Sequence, residues 1–329
     1  MKVFVTGATG YIGSALALSL LEAGHEVAAL ARSRDRGAFL EARGARIVQG
    51  DLGDQESLDR LCEGTEAGFH LAGWVKASGS PSDYEEANVA GARRVFEAAL
   101  RAGVRRVVFT SSAGVLGPAL DGEPVTEDSP RRIGFLNDYE RTKAEAETLV
   151  PGFLHGGLEI VTVNPTRVFG CPVGPDLPPY TAMIDRYLRG KFLLIPGDGR
   201  SLGNYAFLDD VIEGHRAALD RGEPGRRYLL GGHDLSYREF FAALARASGV
   251  ERRLPTVPAA ILYTAAGLAG AVARVTGGRP LLTPSWVKRF LYDWKVSSAR
   301  AQGELGYRIT PPDAALDLTV RGLREREKY

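Results

Sequence analysis

The chain has 329 residues, 44% of them apolar, and its 41 basic and 40 acidic residues leave a net charge of +1. This balance excludes the basic stripe of a nucleic-acid-binding protein and favours a small-molecule partner, while the length allows a large core and a second lobe. Only Cys62 and Cys171 are present, which excludes a disulfide framework or a cysteine metal cluster. We therefore expect no metal. A strand-like run begins at Lys2, in the position of a secretory signal peptide, so we expect a cytoplasmic location.

Six apolar runs of strand length occur in the first half of the chain, separated by segments of helical periodicity. The runs lie at residues 3–5, 27–30, 47–48, 68–71, 107–110 and 158–163. Alternating strands and helices predict right-handed crossovers and a doubly wound parallel sheet of the α/β class. Residues 87–103 show the clearest helical spacing, with Gly103 at the position of a C-terminal cap.

A glycine-rich turn follows the first predicted strand and precedes the first predicted helix. It reads Gly7-Ala8-Thr9-Gly10-Tyr11-Ile12-Gly13. Such a turn brings backbone N–H groups and the positive end of a helix to a pyrophosphate. A nucleotide cofactor is therefore predicted, with contacts from Gly7, Thr9, Gly10, Tyr11, Ile12 and Gly13.

The end of the second predicted strand indicates which nucleotide binds. An acidic residue there accepts hydrogen bonds from the ribose hydroxyls of NAD, but this chain has Ala31 followed by Arg32. The guanidinium of Arg32 can pair with the 2′-phosphate of NADP, so NADP is favoured, with NAD possible. The alternative is that Arg32, Arg34 and Arg36 only form a solvated turn.

Tyr139 and Lys143 lie four residues apart in a segment, residues 139–150, that is predicted to be helical. Their side chains would then project from one face, one turn apart. An ammonium about 5 Å from a phenol favours the phenolate by roughly 3 kcal/mol at an effective dielectric constant of 20, or about two pKa units. We therefore predict that Lys143 lowers the pKa of Tyr139, which exchanges a proton with a substrate oxygen.

Several segments together resemble the extended short-chain dehydrogenase/reductases, the NAD-dependent epimerase/dehydratase family, over most of the chain. They are the glycine turn, His70-Leu71-Ala72-Gly73, Thr110-Ser111-Ser112, Tyr139 to Lys143, residues 164–170 and residues 207–211. The resemblance implies catalysis by Ser112, Tyr139 and Lys143, with Ser111 left open beside Ser112. It also implies that Lys143 binds the nicotinamide ribose. Further cofactor contacts would come from Asp51, Leu52, Ala72, Gly73, Pro165 and Val168.

The resemblance further implies a Rossmann domain and a smaller, mainly helical substrate domain, commonly in a homodimer. We assign residues 1–170 to the Rossmann domain, with a return at about 205–231, and residues 171–204 and 232–329 to the substrate domain. Residues 257–272 carry no charge but fall short of the roughly 20 apolar residues that span a bilayer. We expect them to form a buried or substrate-facing helix, and we expect no membrane partner.

Departures from the family pattern narrow the predicted reaction. Sugar-nucleotide dehydratases carry acidic residues directly after the serines, but this chain has Ala113 there. Many epimerases have an Arg that holds the substrate diphosphate at the position of Asn204, and Arg200 is a nearby residue that could substitute for it. The closest likeness is to dihydroflavonol reductases and hydroxysteroid dehydrogenases. We predict an NADP-dependent reductase of an apolar or amphipathic carbonyl compound, whose pocket draws on Trp74, Phe135, Tyr180 and residues 257–272. The alternatives are a sugar-nucleotide epimerase with tightly bound NAD and a catalytically silent NADP sensor.

Overall fold

The computed structural model of the chain describes residues 1–75, 79–174, 177–191, 194–276 and 284–326. The strands in these ranges are Lys2–Thr6 (β1), Glu26–Ala31 (β2), Arg46–Gln49 (β3), Ala67–His70 (β4), Arg106–Thr110 (β5), Glu159–Pro165 (β6), Arg167–Phe169 (β7), Ile195–Pro196 (β8), Leu202–Phe207 (β9), Arg227–Leu230 (β10), His233–Ser236 (β11) and Thr256–Val257 (β12). The α-helices are Tyr11–Glu22 (α1), Arg34–Glu41 (α2), Gln55–Cys62 (α3), Pro81–Tyr84 (α4), Gly91–Arg101 (α5), Asp138–Glu147 (α6), Val150–His155 (α7), Pro179–Leu188 (α8), Leu208–Arg221 (α9), Tyr237–Ser248 (α10), Ala259–Thr276 (α11), Pro284–Arg289 (α12) and Pro312–Arg326 (α13).

The main sheet has seven strands in the order β3-β2-β1-β4-β5-β6-β10, and all its neighbours pair in parallel. This confirms the predicted doubly wound α/β fold. The direction of winding reverses between β1 and β4, where Thr6 lies opposite His70. Ligands of such sheets bind outside the carboxyl ends of the strands at this reversal.

The sheet is buried on both faces because successive side chains of a strand point to opposite sides. In β1, Val3 and Val5 pack into one core layer with Leu16 of α1, whereas Phe4 packs into the other with Phe96 of α5. These two layers hold the carboxyl ends of the strands in place.

A second, smaller sheet joins β7, β9 and β11, with β9 in the centre. It packs against a separate core cluster that includes Tyr205, Phe240 and Leu316. The main sheet receives its last strand, β10, before the chain continues into α10 to α13. The division into a Rossmann and a substrate domain stays a prediction.

Two predicted helices have different boundaries. The segment predicted as one helix over residues 139–150 ends at Glu147, and a short helix begins at Val150. Pro151 explains the break, since a proline ring clashes with the carbonyl four residues earlier. Residues 87–103 belong instead to a π-helical turn, Glu85–Ala90, followed by α5, and Gly103 adopts a φ of 71° just beyond it.

The uncharged segment at residues 257–272 was expected to be a buried or substrate-facing helix. It lies mostly in α11, and among residues 260–269 only Leu262 and Ala266 are buried. These two side chains lie one turn apart and pack against Val287 of α12, so α12 covers only a narrow stripe of the α11 surface. No helix in the described ranges is both long enough and apolar enough to cross a bilayer.

Candidate active site

The glycine turn after β1 is shaped by close backbone contacts. Gly7 has a φ of 71°, and a Cβ there would lie 2.7 Å from the backbone nitrogen of Ala72. A Cβ at Gly13 would lie 2.1 Å from the carbonyl oxygen of Gly7. Glycine is therefore required at both positions, because any side chain would push the turn away from the ends of β1 and β4.

The start of α1 is open to an anion. Its N-cap is Gly10, which has no side-chain cap, and no acidic residue stands in the first turn. Unpaired N–H groups and the helix dipole favour a phosphate at such an end. Thr9 and Ile12 are half-buried beside it, and the Tyr11 hydroxyl donates to the carbonyl oxygen of Gly170 (3.2 Å). The backbone of Tyr11, rather than its side chain, is left for a pyrophosphate, and this turn fits a dinucleotide.

The end of β2 carries the positive charge predicted to select the nucleotide. Ala31 is buried and Arg32 is exposed. Arg34 is paired with Glu41 at 2.5 Å, whereas Arg32 contacts no carboxylate in the described ranges. At the end of β3, the Asp51 carboxylate accepts from the backbone N–H of Gly53 (2.7 Å), and Leu52 is half-buried. Arg32 is thus available to a ligand.

Asn88 connects the loop after β4 to helix α6. Its Oδ1 accepts from the backbone N–H of Trp74 (2.7 Å), and its Nδ2 donates to Oγ1 of Thr142 (2.9 Å). A Cβ at Gly73 would lie 2.6 Å from this Oδ1, so Gly73 must lack a side chain. Asn88 therefore holds Ala72 and Gly73 next to the helix that carries Tyr139 and Lys143.

The structure places the side chain of Ser112 close enough to Tyr139 for its hydroxyl to lower the pKa of the phenol. Ser112 begins a 3₁₀ turn after β5, and its Oγ accepts from the N–H of Gly114 (3.2 Å). Tyr139 lies in the first turn of α6, which Asn137 caps by accepting from the N–H of Glu140 (2.9 Å). Ser111 has a buried Oγ with no partner in the described ranges. The geometry therefore favours Ser112 over Ser111 beside the phenol.

The pKa of Tyr139 differs from the prediction. Burial of the phenol raises its pKa above the ordinary value, against the opposing effects of the Ser112 hydroxyl and the charge of Arg289. The expected lowering by Lys143 is therefore wrong for this structure. Desolvation of a phenolate outweighs the nearby charges, and the principal opposing cation comes from α12.

Lys143 is 3% exposed and its Nζ lies 4.6 Å from the centroid of the Phe109 ring. Burial lowers its pKa to about 8, with Glu147 acting in the opposite direction. Its Nζ would lie 4.0 Å from a Cβ at Gly73, so the glycine keeps space beside the ammonium. The amine is thus close to the edge where a ribose would lie.

A buried carboxylate next to Tyr139 was missed by the sequence analysis. Glu140 is fully buried and accepts from Arg131 (2.7 Å) and Arg289. Arg131 also donates to the carbonyl oxygens of Gly114, Val115, Ile133 and Gly134. Arg289 donates to Glu140 through Nη1, and its guanidinium carbon lies 4.2 Å from the centroid of the Trp294 ring. The signal was a glutamate directly after the tyrosine, but its partners come from distant parts of the chain.

A second unexpected cation is Arg167, on β7, which is 8% exposed and has no carboxylate partner in the described ranges. Its guanidinium lies 5.3 Å from the ring centroid of Tyr205 and 5.7 Å from that of Tyr180. A Cβ at Gly203 would lie 1.9 Å from its Nη1, so the guanidinium occupies the space left by that glycine. Its Nε is buried and has no hydrogen-bond partner among the described residues.

The remaining predicted residues lie in different surroundings. Pro165 ends β6, and the side chain of Val168 is 8% exposed in the core, so both have only backbone groups to offer a cofactor. Phe135 is 42% exposed beneath Arg131. Arg200 is exposed, with Asp198 3.9 Å away, and the guanidinium that packs against Gly203, the residue before Asn204, is that of Arg167.

A phosphate-binding turn and a serine–tyrosine–lysine set at the winding reversal define an NAD(P)-dependent enzyme of the extended short-chain dehydrogenase/reductase type. Residues 3–231 match the model of the NAD dependent epimerase/dehydratase family. The chain belongs to this family.

Similar proteins include reductases. A Stigmatella aurantiaca protein named 4-hydroxy-2-methyl-3-oxo-4-farnesyl-3,4-dihydroquinoline-1-oxide ketoreductase is 30% identical, over 93% of this chain and 92% of its own. A putative dihydroflavonol 4-reductase of Synechocystis sp. is 31% identical, over 92% and 89%. The crystal structure of gox2253 superposes with a TM-score of 0.82 at 30% identity, over 99% and 98%. The predicted likeness to dihydroflavonol reductases is confirmed.

Proposed function

We propose that this chain is an NADP-dependent reductase of a carbonyl group on an apolar or amphipathic small molecule, acting in the cytoplasm as a homodimer. The observation that carries the proposal is the Ser112–Tyr139 hydroxyl pair at the carboxyl edge of the sheet, one helical turn from Lys143. The bound nicotinamide supplies the hydride. Tyr139 delivers the proton to the carbonyl oxygen, and Ser112 donates a hydrogen bond to that oxygen.

The reductase proposal is tested by NADPH consumption with a panel of ketones of increasing apolar area. Turnover that rises with apolar area supports it, and the opposite direction, alcohol oxidation with NADP⁺, must be measured alongside. Absence of turnover on every ketone and alcohol, with NADPH still bound, would instead support the silent sensor. Ala113 and Gly114 supply no acid after the serines, which argues against dehydration.

NADP is proposed as the preferred nucleotide because Arg32 is exposed at the end of β2 without a carboxylate partner among the described residues, and Ala31 stands in place of an acid. We expect Arg32→Ala to weaken NADPH binding by about 1.5–3 kcal/mol and leave NADH binding nearly unchanged, since one charge-assisted hydrogen bond to the 2′-phosphate is lost. Fluorescence titration with both nucleotides at one salt concentration measures the difference.

The matched control is Arg34→Ala, which removes a neighbouring arginine already paired with Glu41 and should leave both affinities unchanged. Equal weakening of NADPH and NADH by Arg32→Ala would indicate adenine stacking only. A wild-type preference for NADH would reject the NADP assignment.

A sugar-nucleotide epimerase is the second candidate, favoured by Arg167. A buried cation without a carboxylate is costly unless a ligand or aromatic faces compensate it. Arg167 packs against Gly203, one residue before Asn204, the position at which many epimerases carry the Arg that holds a diphosphate. Three tyrosine rings, those of Tyr180, Tyr205 and Tyr237, lie within 6 Å of its guanidinium.

Arg167→Gln separates the two candidates. If the chain is a reductase of uncharged ketones, the KM for these ketones should change less than about threefold, because such a substrate has no anionic group for Arg167 to bind. If it is an epimerase, the wild type converts a nucleoside-diphosphate sugar without added NADPH, and the substitution raises that KM at least tenfold, as expected for a lost charged hydrogen bond. Thermal unfolding of the variant checks that the tyrosine cluster stays folded.

A further inference from the structure

Helix α11 is exposed over most of residues 260–269, a stretch without a charged side chain. Eight of the ten residues from 260 to 269 are exposed, including Leu268 at 65%, Ile261 at 59% and Tyr263 at 43%. Single exposed apolar side chains are common, but a contiguous apolar face marks a surface that another molecule covers.

The chain around this face is strongly basic. Between Glu251 and Asp293 there are 41 residues with no acid and six bases, namely Arg252, Arg253, Arg274, Arg279, Lys288 and Arg289. The rest of the chain has 35 bases and 40 acids and therefore carries a net charge of −5. This one segment therefore combines apolar exposure with concentrated positive charge.

Two of these bases are used within the fold, while others are available to a partner. Arg252 donates to the carbonyl oxygens of Tyr187 and Leu188, and Arg289 pairs with Glu140. Arg253 and Lys288 are exposed, with no carboxylate partner in the described ranges. Arg279 lies outside the described residues.

We propose that α11 and its basic flanks dock on the surface of an anionic lipid bilayer. An uncharged helix face enters the boundary between head groups and acyl chains, and flanking Lys and Arg are attracted to anionic lipids. The helix lies on the bilayer without spanning it, in agreement with the absence of a spanning helix in the described ranges. This proposal departs from the expectation, made from the sequence, of no membrane partner.

Charge favours a bilayer over a second copy of the chain. A two-fold dimer through α11 would bring the same basic segment of each copy against the other, with no acid in either segment to compensate. An anionic lipid surface supplies the missing negative charge and covers the apolar side chains together.

The docking surface is connected to the candidate active site. Its helix packs on α12 through Leu262, Ala266 and Val287, and α12 ends at Arg289, which pairs with Glu140 beside Tyr139. Docking would therefore place the catalytic edge close to the bilayer. The docking itself does not depend on the reductase assignment.

The test is co-sedimentation of the full chain with vesicles of phosphatidylcholine alone or with about one third phosphatidylglycerol. We expect binding to the anionic vesicles, at least tenfold weaker binding to the neutral ones, and release at high salt. Ile261→Glu with Leu268→Glu should reduce anionic-vesicle binding at least tenfold, and Arg253→Gln or Lys288→Gln about fivefold each.

The matched control is Leu318→Glu, which changes an exposed leucine on α13 and should leave vesicle binding unchanged. Thermal unfolding and NADPH titration verify that each variant is folded. No binding to anionic vesicles, or equal binding by the Ile261/Leu268 variant, overturns the proposal. It is also overturned if light scattering shows that the wild type is a dimer and this variant a monomer, while the wild type does not bind vesicles. No turnover is needed, so failure here is separate from failure of the reductase proposal.

Discussion

Tyr139→Phe is expected to lower kcat by about 10²–10⁴, the usual contribution of a positioned acid or base, while NADPH binding stays within a few-fold. Only the hydroxyl beside Ser112 is removed, so the ring continues to pack at the start of α6. Because the proton is transferred only in the transition state, kcat and kcat/KM should fall together. Single-turnover kinetics with saturating NADPH measures this step directly.

A matched control is Tyr187→Phe, on α8 and away from the candidate site. It removes a hydroxyl that donates to the carbonyl oxygen of Val250 (2.7 Å). Its loss should cost about 1 kcal/mol of stability and no activity. If Tyr139→Phe retains more than about a tenth of the wild-type kcat, Tyr139 is not the proton donor.

Lys143→Met is expected to lower kcat about a hundredfold and to weaken NADPH binding about tenfold or more. Both effects follow from loss of a charged donor to the ribose, which binds the nucleotide and orients its nicotinamide for hydride transfer. Nucleotide titration and steady-state kinetics separate the two effects. Unchanged affinity with a reduced rate would reject the ribose contact.

The pH profile provides an independent readout of the same residue. Burial lowers the pKa of Lys143 to about 8, so the free enzyme loses this charge as the pH rises through that value. We expect kcat/KM to fall above about pH 8 and the fall to be absent in Lys143→Arg, because guanidinium stays charged throughout the range. A wild-type profile that is flat to pH 9.5 would show that another group sets the rate.

Local patterns were sufficient for the parts of the site made by short segments. The glycine spacing predicted the turn that Gly7 and Gly13 make, since only glycine tolerates a φ of 71° at Gly7 and a carbonyl 2.1 Å from the Cβ position at Gly13. All six predicted strands occur, because buried parallel strands are short apolar runs. The i,i+4 spacing placed Tyr139 and Lys143 on one helix.

The environment of those residues depended on contacts between distant segments. The sequence by itself determined the fold class and the family, and it predicted the serine, tyrosine and lysine of the site, since each motif is encoded within a few neighbouring positions. Only the tertiary structure decided that burial raises the pKa of Tyr139, that Arg289 from α12 is its principal opposing cation, and that Arg167 fills the space above Gly203. The exposure of α11 was likewise invisible to hydropathy, because an uncharged segment reads the same whether a core or a bilayer covers it. Desolvation and Coulomb energies depend on distances through space, and these are set by packing between elements that sequence spacing does not specify.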